Sequence, residues 1–197
     1  MRSKTVILII CEGDSEYAYV QELNRFLNMR NSSVTLLGCN AGGGGFKSLR
    51  QVCRARKTRN NGRTFIFADE DIYFRNDNDN RKMYDQEKAV LPPFLFQTWN
   101  FEDFLLMHFP CEVLEAWVEE CRSSGHDLNP LHSKDYLPMF LKFCEKNQDI
   151  LSFDFAYEKG DMPFSMNASH LRALSENGKR EFPKSGFAEY VIKWSSN

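Results

Sequence analysis

The stretch Thr5-Val6-Ile7-Leu8-Ile9-Ile10-Cys11-Glu12-Gly13-Asp14-Ser15-Glu16 decides the fold. Strand-forming residues run from Thr5 to Ile10 without polar alternation and then stop at a cluster of acids. A run of that kind reads as a strand buried on both faces, which places it in a parallel sheet covered by helices. A second such run, Thr64-Phe65-Ile66-Phe67-Ala68, stops at Asp69-Glu70-Asp71. Functional groups of parallel sheets collect at the carboxyl ends of the strands. Two carboxylate clusters meeting there repel each other unless a cation lies between them. Mg²⁺, a hard ion that takes oxygen ligands, is the expected occupant, with Mn²⁺ as its substitute.

Working outward, Tyr19, Val20, Leu23, Phe26 and Leu27 recur at helical spacing between Ser15 and Arg30. Asp14 or Ser15 is the expected cap of that helix, and Gly13 supplies the close turn before it. A short strand is expected at Val34–Leu37, then a glycine loop at 40–45, then a helix from Phe46 with Leu49, Val52 and Cys53 on one side. Composition makes Arg75–Arg81 a loop, and Phe94–Trp99 reads as a further strand. Helical patterns follow at Phe101–His108, Glu112–Cys121, Tyr136–Glu145, His170–Glu176 and Phe187–Trp194. The alternation over residues 1–110 implies an α/β core with a parallel sheet flanked by helices. Residues 111–197 are expected to form a mostly helical extension packed on it.

The bulk numbers narrow the function classes. With 197 residues, 42% of them hydrophobic and 17 Phe, the chain can build one substantial core. A net charge of -2 gives no global field toward nucleic acid, so any such surface must come from local segregation of charge. No apolar run approaches the roughly 18 residues that span a bilayer, and residues 1–4 carry no signal-peptide pattern, so no membrane partner is expected. Six cysteines without CxxC or metal-like spacing suit thiols in a reducing compartment, which favours the cytoplasm.

Several positions then compete for chemical roles. Glu12 and Glu16 flank a strand-to-helix turn and are able to face one site, although an acid at Glu16 also suits a helix N-terminus for its own sake. Asp69 and Asp71, at i and i+2, point the same way on an extended backbone, while Glu70 faces the opposite side as a bystander. Gly42–Gly45 lacks the Gly-Lys-Ser/Thr of a phosphate-binding loop, so a flexible connection is expected. Residues 46–63 contain Lys47, Arg50, Arg54, Arg56, Lys57, Arg59 and Arg63 and no acid. Either this is a solvated surface or it contacts a phosphate backbone without reading sequence. In Phe101-Glu-Asp-Phe-Leu-Leu-Met-His-Phe109, His108 reads as a packed histidine, and Glu102, close to Asn100 at the helix start, has a capping or additional metal role. His126, His132 and His170 have no partner at ligand spacing.

An apolar strand ending in Cys-Glu-Gly-x-x-Glu followed by a strand ending in Asp-x-Asp resembles the TOPRIM metal centre, carried by the four-stranded parallel fold of topoisomerases, primases and OLD-family nucleases. Within that group the chain is similar to the RloB-like family, in which the opening strand also runs into Cys-Glu-Gly and a later Phe-Glu-x-x-Leu-Leu-x-His-Phe segment matches 101–109. The resemblance covers roughly residues 4–110 and reaches Lys134-Asp135-Tyr136. It implies that Glu12 is a metal ligand or general acid/base, that Asp69 and Asp71 hold Mg²⁺, and that Glu16 stands where OLD-like nucleases place a second acid, usually Asp. Glu102 matches an acidic position of the RloB-like segment. The resemblance further implies a role in phage defence beside an ABC-type or other ATPase partner.

The expected activity is therefore Mg²⁺-dependent hydrolysis of DNA or RNA, with catalytic residues Glu12, Asp69 and Asp71 and metal ligands Glu12, Glu16, Asp69 and Asp71. Lys47, Arg50, Arg54, Arg56, Lys57 and Arg59 would hold the backbone, with Glu102 as an additional site residue. The rival expectation is a non-catalytic adaptor that binds nucleic acid or the ATPase. A small-molecule phosphatase uses similar carboxylates but has less use for a basic stripe.

Overall fold

The computed structural model describes residues 4–57, 62–70, 73, 79–97, 100–125, 139–140, 142–143, 145–147, 164–179 and 185–196. The two apolar runs that decide the fold are neighbouring strands. β1 (Thr5–Cys11) and β3 (Thr64–Asp69) lie at the centre of a four-stranded sheet, with β2 (Val34–Asn40) beside β1 and β4 (Phe94–Gln97) beside β3. All three pairings are parallel, with Cys11 opposite Asn40 and Phe67, and Asp69 opposite Gln97. The molecule is thus an α/β protein with an all-parallel sheet, as the sequence implies. β2 runs three residues beyond Leu37, because the pairing with β1 continues to its carboxyl end.

Strand alternation sorts the core into two faces. Ile7, Ile9, Cys11, Leu36, Phe65, Phe67 and Leu95 share one cluster with the apolar stripe of α1 (Asp14–Met29), where Tyr19, Val20, Leu23, Phe26 and Leu27 are buried. α4 (Phe101–Leu106), α6 (Ala168–Asn177) and α7 (Gly186–Ser195) complete that layer. On the other face Ile10, Ile66 and Ala68 pack under Phe46, Leu49 and Cys53 of α2 (Gly45–Ala55), together with Tyr73 and half-buried Met83 and Tyr84 of α3 (Asp79–Glu87). A smaller cluster joins Leu106 and Phe109 to α5 (Cys111–Ser123) and to Phe140 and Phe143, in the segment where 136–145 reads as helical.

Within the stretch read as the extension, Phe187 of α7 stacks on Phe67 of the sheet with centroids 4.1 Å apart and an interplanar angle of 14°. Ser185 caps that helix, accepting hydrogen bonds from the amides of Phe187 and Ala188, and bridges to Gln97 of β4.

Two local expectations change. Gly13, in extended backbone, is the N-cap of α1 rather than Asp14 or Ser15, which are already helical. Residues 79–81 belong to α3 and not to a loop, and residues 74–78 lie outside the described residues. α3 has no fully buried residue, so the apolar periodicity that reveals a helix in sequence is missing. Among the described residues the cysteines form no disulfide, and Cys11, Cys53 and Cys121 are buried. No helix of the described residues is long and apolar enough to cross a membrane.

Candidate metal centre at the carboxyl edge of the sheet

The strand order puts a topological switch point between β1 and β3. From β1 the chain crosses to β2 on one side, while β3 leads to β4 on the other. Crevices outside such points are where open α/β sheets bind ligands. Glu12 stands at this switch point. Its amide donates to Phe67 O at 3.0 Å, extending the β1–β3 ladder, and its carbonyl accepts from the Gly43 amide at 2.8 Å. Its carboxylate Oε2 accepts from the Asp69 amide at 3.3 Å. Three contacts from two neighbouring segments thus hold Glu12 against the end of β3. Asp69 is the last residue of that strand, and Glu70 continues the ladder by donating to Gln97 O at 3.0 Å.

Glu12 and Asp69 are both half-buried and stand at the ends of neighbouring strands, and their carboxylates are hard oxygen donors that suit Mg²⁺ better than a soft metal. Asp71 lies outside the described residues, and among those described no group of three potential ligands assembles. What the structure does bring together is the first acid and the start of the Asp-x-Asp pair.

Glu16 and Glu102 feel each other's charge. Glu16 is buried in the first turn of α1, and its Oε2 accepts from the Gly13 amide at 3.1 Å, so it braces the Gly13 turn as an acid at a helix N-terminus does. Burial pushes its carboxyl up to about 7; the charges of Glu102 and Asp14 add to the rise, and the Gly13 amide opposes it. Glu102 sits in the first turn of α4, which Asn100 caps by accepting from the Asp103 amide at 3.0 Å. The helix starts of α1 and α4 present amide dipoles that favour these carboxylates.

The glycine loop carries hydrogen bonds at several of its amides. Gly42, Gly43, Gly44 and Gly45 all have φ between 64° and 86°, a left-handed run that side-chain-bearing residues rarely adopt. Asn40 Oδ1 accepts from the Gly42 amide, Glu12 O from Gly43, and Asn80 Oδ1 from Phe46, so three amides of the loop and helix start are already satisfied. Asn40 also donates to Asp14 Oδ1 at 2.6 Å. Neither Asn40 nor Asn80 is recognisable in sequence, because an asparagine in a polar loop looks the same whether or not it caps a distant amide.

The basic residues run away from the edge. Lys47 is in the first turn of α2, Arg50 and Arg54 follow along the helix, and Arg56 and Lys57 lie just past its end. With a rise of 1.5 Å per residue, that end is roughly 15 Å from the crevice side. Arg50 and Arg54 both reach Glu87 of α3, at 2.8 and 3.4 Å. The segment itself holds no acid, but the fold supplies one from α3. Arg59 lies outside the described residues.

His108 is packed, as its sequence context suggests. Fully buried, it accepts at Nε2 from the Tyr19 hydroxyl at 2.8 Å, while Nδ1 donates to Phe104 O at 3.2 Å. Burial and the nearby His170 drive its pKa down to about 3. His170, also buried, uses Nδ1 to accept from the Asn167 amide at the start of α6, and Phe164 lies between the two rings. His126 and His132 lie outside the described residues, as does 134–136.

Glu16 and His108 oppose each other in acid titration. His108 is neutral in the fold and charged when unfolded below about 6.5, so its stabilisation is complete above that pH and is lost as pH falls toward 3. Glu16 is protonated in the fold, so its stabilisation is complete below its ordinary value of 4.5 and is lost as pH rises through 7. His108→Gln is expected to remove an acid-side loss of about 2–3 kcal/mol between pH 7 and 4.5, read as the change in its stability difference from wild type in urea melts. Glu16→Gln is expected to gain about 2 kcal/mol at pH 8 in EDTA and nothing at pH 4. A pH-independent difference for either variant contradicts the corresponding assignment.

Comparison of the chain with protein-family models, curated proteins and solved structures finds no match.

Proposed function

We propose that this chain is a Mg²⁺-dependent nuclease that hydrolyses phosphodiester bonds of DNA or RNA at the crevice between β1 and β3. One observation carries the reading: the Glu12 carboxylate accepts from the Asp69 backbone amide, which supports the acids that end the two central strands sharing one site at the switch point. Glu12 and Asp69, with Asp71 two residues on, would hold the ion. When bound, such an ion supplies Lewis-acid activation of the scissile phosphate and a hydroxide nucleophile near neutral pH. Glu12 fixes the geometry from the β1 side, while Asp69 fixes it from β3. Glu16 keeps the Gly13 turn closed, and Glu102 shares its electrostatic field. Lys47, Arg50, Arg54, Arg56 and Lys57, with Arg59, would track the phosphate backbone along α2.

The four-stranded parallel sheet and the motif order support a TOPRIM-type, RloB-like assignment. A place in phage defence beside an ATPase rests on that resemblance alone. The test is incubation of the purified chain with plasmid, single-stranded DNA and total tRNA in Mg²⁺, Mn²⁺ or EDTA. Cleavage with either metal and none in EDTA is the expected result. Binding without cleavage under every metal condition favours the adaptor reading.

A further inference from the structure

Glu87 makes a contact that the cleavage chemistry does not require. Its Oε1 accepts from the guanidinium of Arg50 at 2.8 Å and from that of Arg54 at 3.4 Å. Two guanidiniums converging on one anionic oxygen is how arginines take a phosphate. Lys47, Arg50 and Arg54 stand at i, i+3 and i+7 on α2 and so form one stripe on the helix face toward α3. The same stripe starts at the carboxyl edge, where the Gly43 amide meets Glu12 O.

The helix that carries Glu87 is lightly held. α3 contains no fully buried residue, and it docks through half-buried Met83 and Tyr84 and through Asn80 Oδ1, which accepts from the Phe46 amide at 3.3 Å. The side chains of Arg54, Arg50 and Glu87 are 64%, 27% and 22% exposed, so solvent reaches all three. Ion pairs of that exposure contribute about 0–1 kcal/mol, weak enough for a polyanion to replace the carboxylate.

We propose that Arg50 and Arg54 form a clamp for one backbone phosphate of the nucleic acid, and that Glu87 occupies the clamp until the phosphate displaces it. This deepens the nuclease reading and rests on it, since it names the surface on which the substrate lies and the residue that restrains its binding. The partner is recognised by phosphate alone, without base readout.

The experiment is a fluorescence-anisotropy titration of a labelled 20-nucleotide DNA strand and its RNA counterpart, in EDTA, over a salt series. The proteins are wild type, Glu87→Gln, the pair Arg50→Gln/Arg54→Gln, and the triple variant, each checked for an unchanged circular-dichroism melt. Glu87→Gln is expected to bind about three- to tenfold tighter than wild type, with a log K against log salt slope steeper by about 1. In the Arg50→Gln/Arg54→Gln background the same change is expected to bring no gain. A gain of equal size in both backgrounds reflects general charge removal and overturns the clamp, as does no gain in either. In both of those cases wild-type binding leaves the nucleic-acid surface standing, and cleavage in Mg²⁺ decides the nuclease reading separately. Absence of wild-type binding to either probe overturns the reading on which the clamp rests.

Discussion

Glu12→Gln is expected to leave a folded protein that still binds nucleic acid but cuts it on the order of 10²–10³-fold more slowly, if not beyond detection. The substitution keeps the length of the side chain and an oxygen able to accept from the Asp69 amide, so the turn after β1 retains its three contacts. What it removes is the charge. A Gln amide is a far weaker ligand for a hard dication than a carboxylate. Binding is expected to persist or tighten, because one negative charge facing the phosphate backbone has gone. Single-turnover cleavage of plasmid in Mg²⁺, beside anisotropy binding in EDTA, separates the two effects. Equal cleavage rates for wild type and variant would remove Glu12 from the chemistry.

The largest effect on stability is expected at Phe187. Its ring stacks on Phe67, and it lies in the same cluster as Ile9, Tyr19 and Phe104. Phe187→Ala is expected to cost about 3–5 kcal/mol, the usual range for emptying an aromatic site in a packed core. Against a total stability of about 5–15 kcal/mol that is a large share. Urea denaturation followed by tryptophan fluorescence and by circular dichroism is expected to show one coincident transition at a lower midpoint. A loss under about 1 kcal/mol, or two separate transitions, would mean that α7 is an appendage and not part of the sheet's cover.

That residue also marks where the sequence stops being legible. The sheet could be read because β3 and the carboxyl half of β1 are buried on both faces, although Thr5 and Val6 at the start of β1 are exposed. α1 and α2 were legible through their one-sided stripes. The helical pattern at 187–194 reveals α7 as an element, but nothing local says that it lies on β3 and β4, since that placement is set by long-range packing of Phe187 and Trp194. α3 was missed because Met83 and Tyr84 alone give no apolar period and its polar anchors, Asn80 and Glu87, act through partners about 35 residues away in sequence.

The candidate site divides along the same line. Glu12 and Asp69 could be named from sequence because a charge directly after a buried run falls at the carboxyl edge of the sheet. The hydrogen bond from the Asp69 amide to the Glu12 carboxylate depends on β1 and β3 being neighbours, which parallel pairing provides. Glu16 offered two readings, and the Gly13 hydrogen bond favours a brace for the turn. The basic segment looked uniform in sequence, whereas the helix spreads it along an axis and gives Arg50 and Arg54 an acidic partner. Such a partner cannot be read from the segment itself.

The central claim is that Glu12 and Asp69 bind one divalent ion together. Calorimetric titration of Mg²⁺, and of Mn²⁺ in parallel, into the metal-free protein tests it most directly. Wild type and Glu70→Gln are expected to show the same saturable site, because Glu70 is held by its backbone ladder and stands as the bystander of the pair. Glu12→Gln and Asp69→Asn are each expected to weaken that site at least about tenfold. Equal affinity in wild type and both of these variants, or no saturable binding by wild type, would contradict the account.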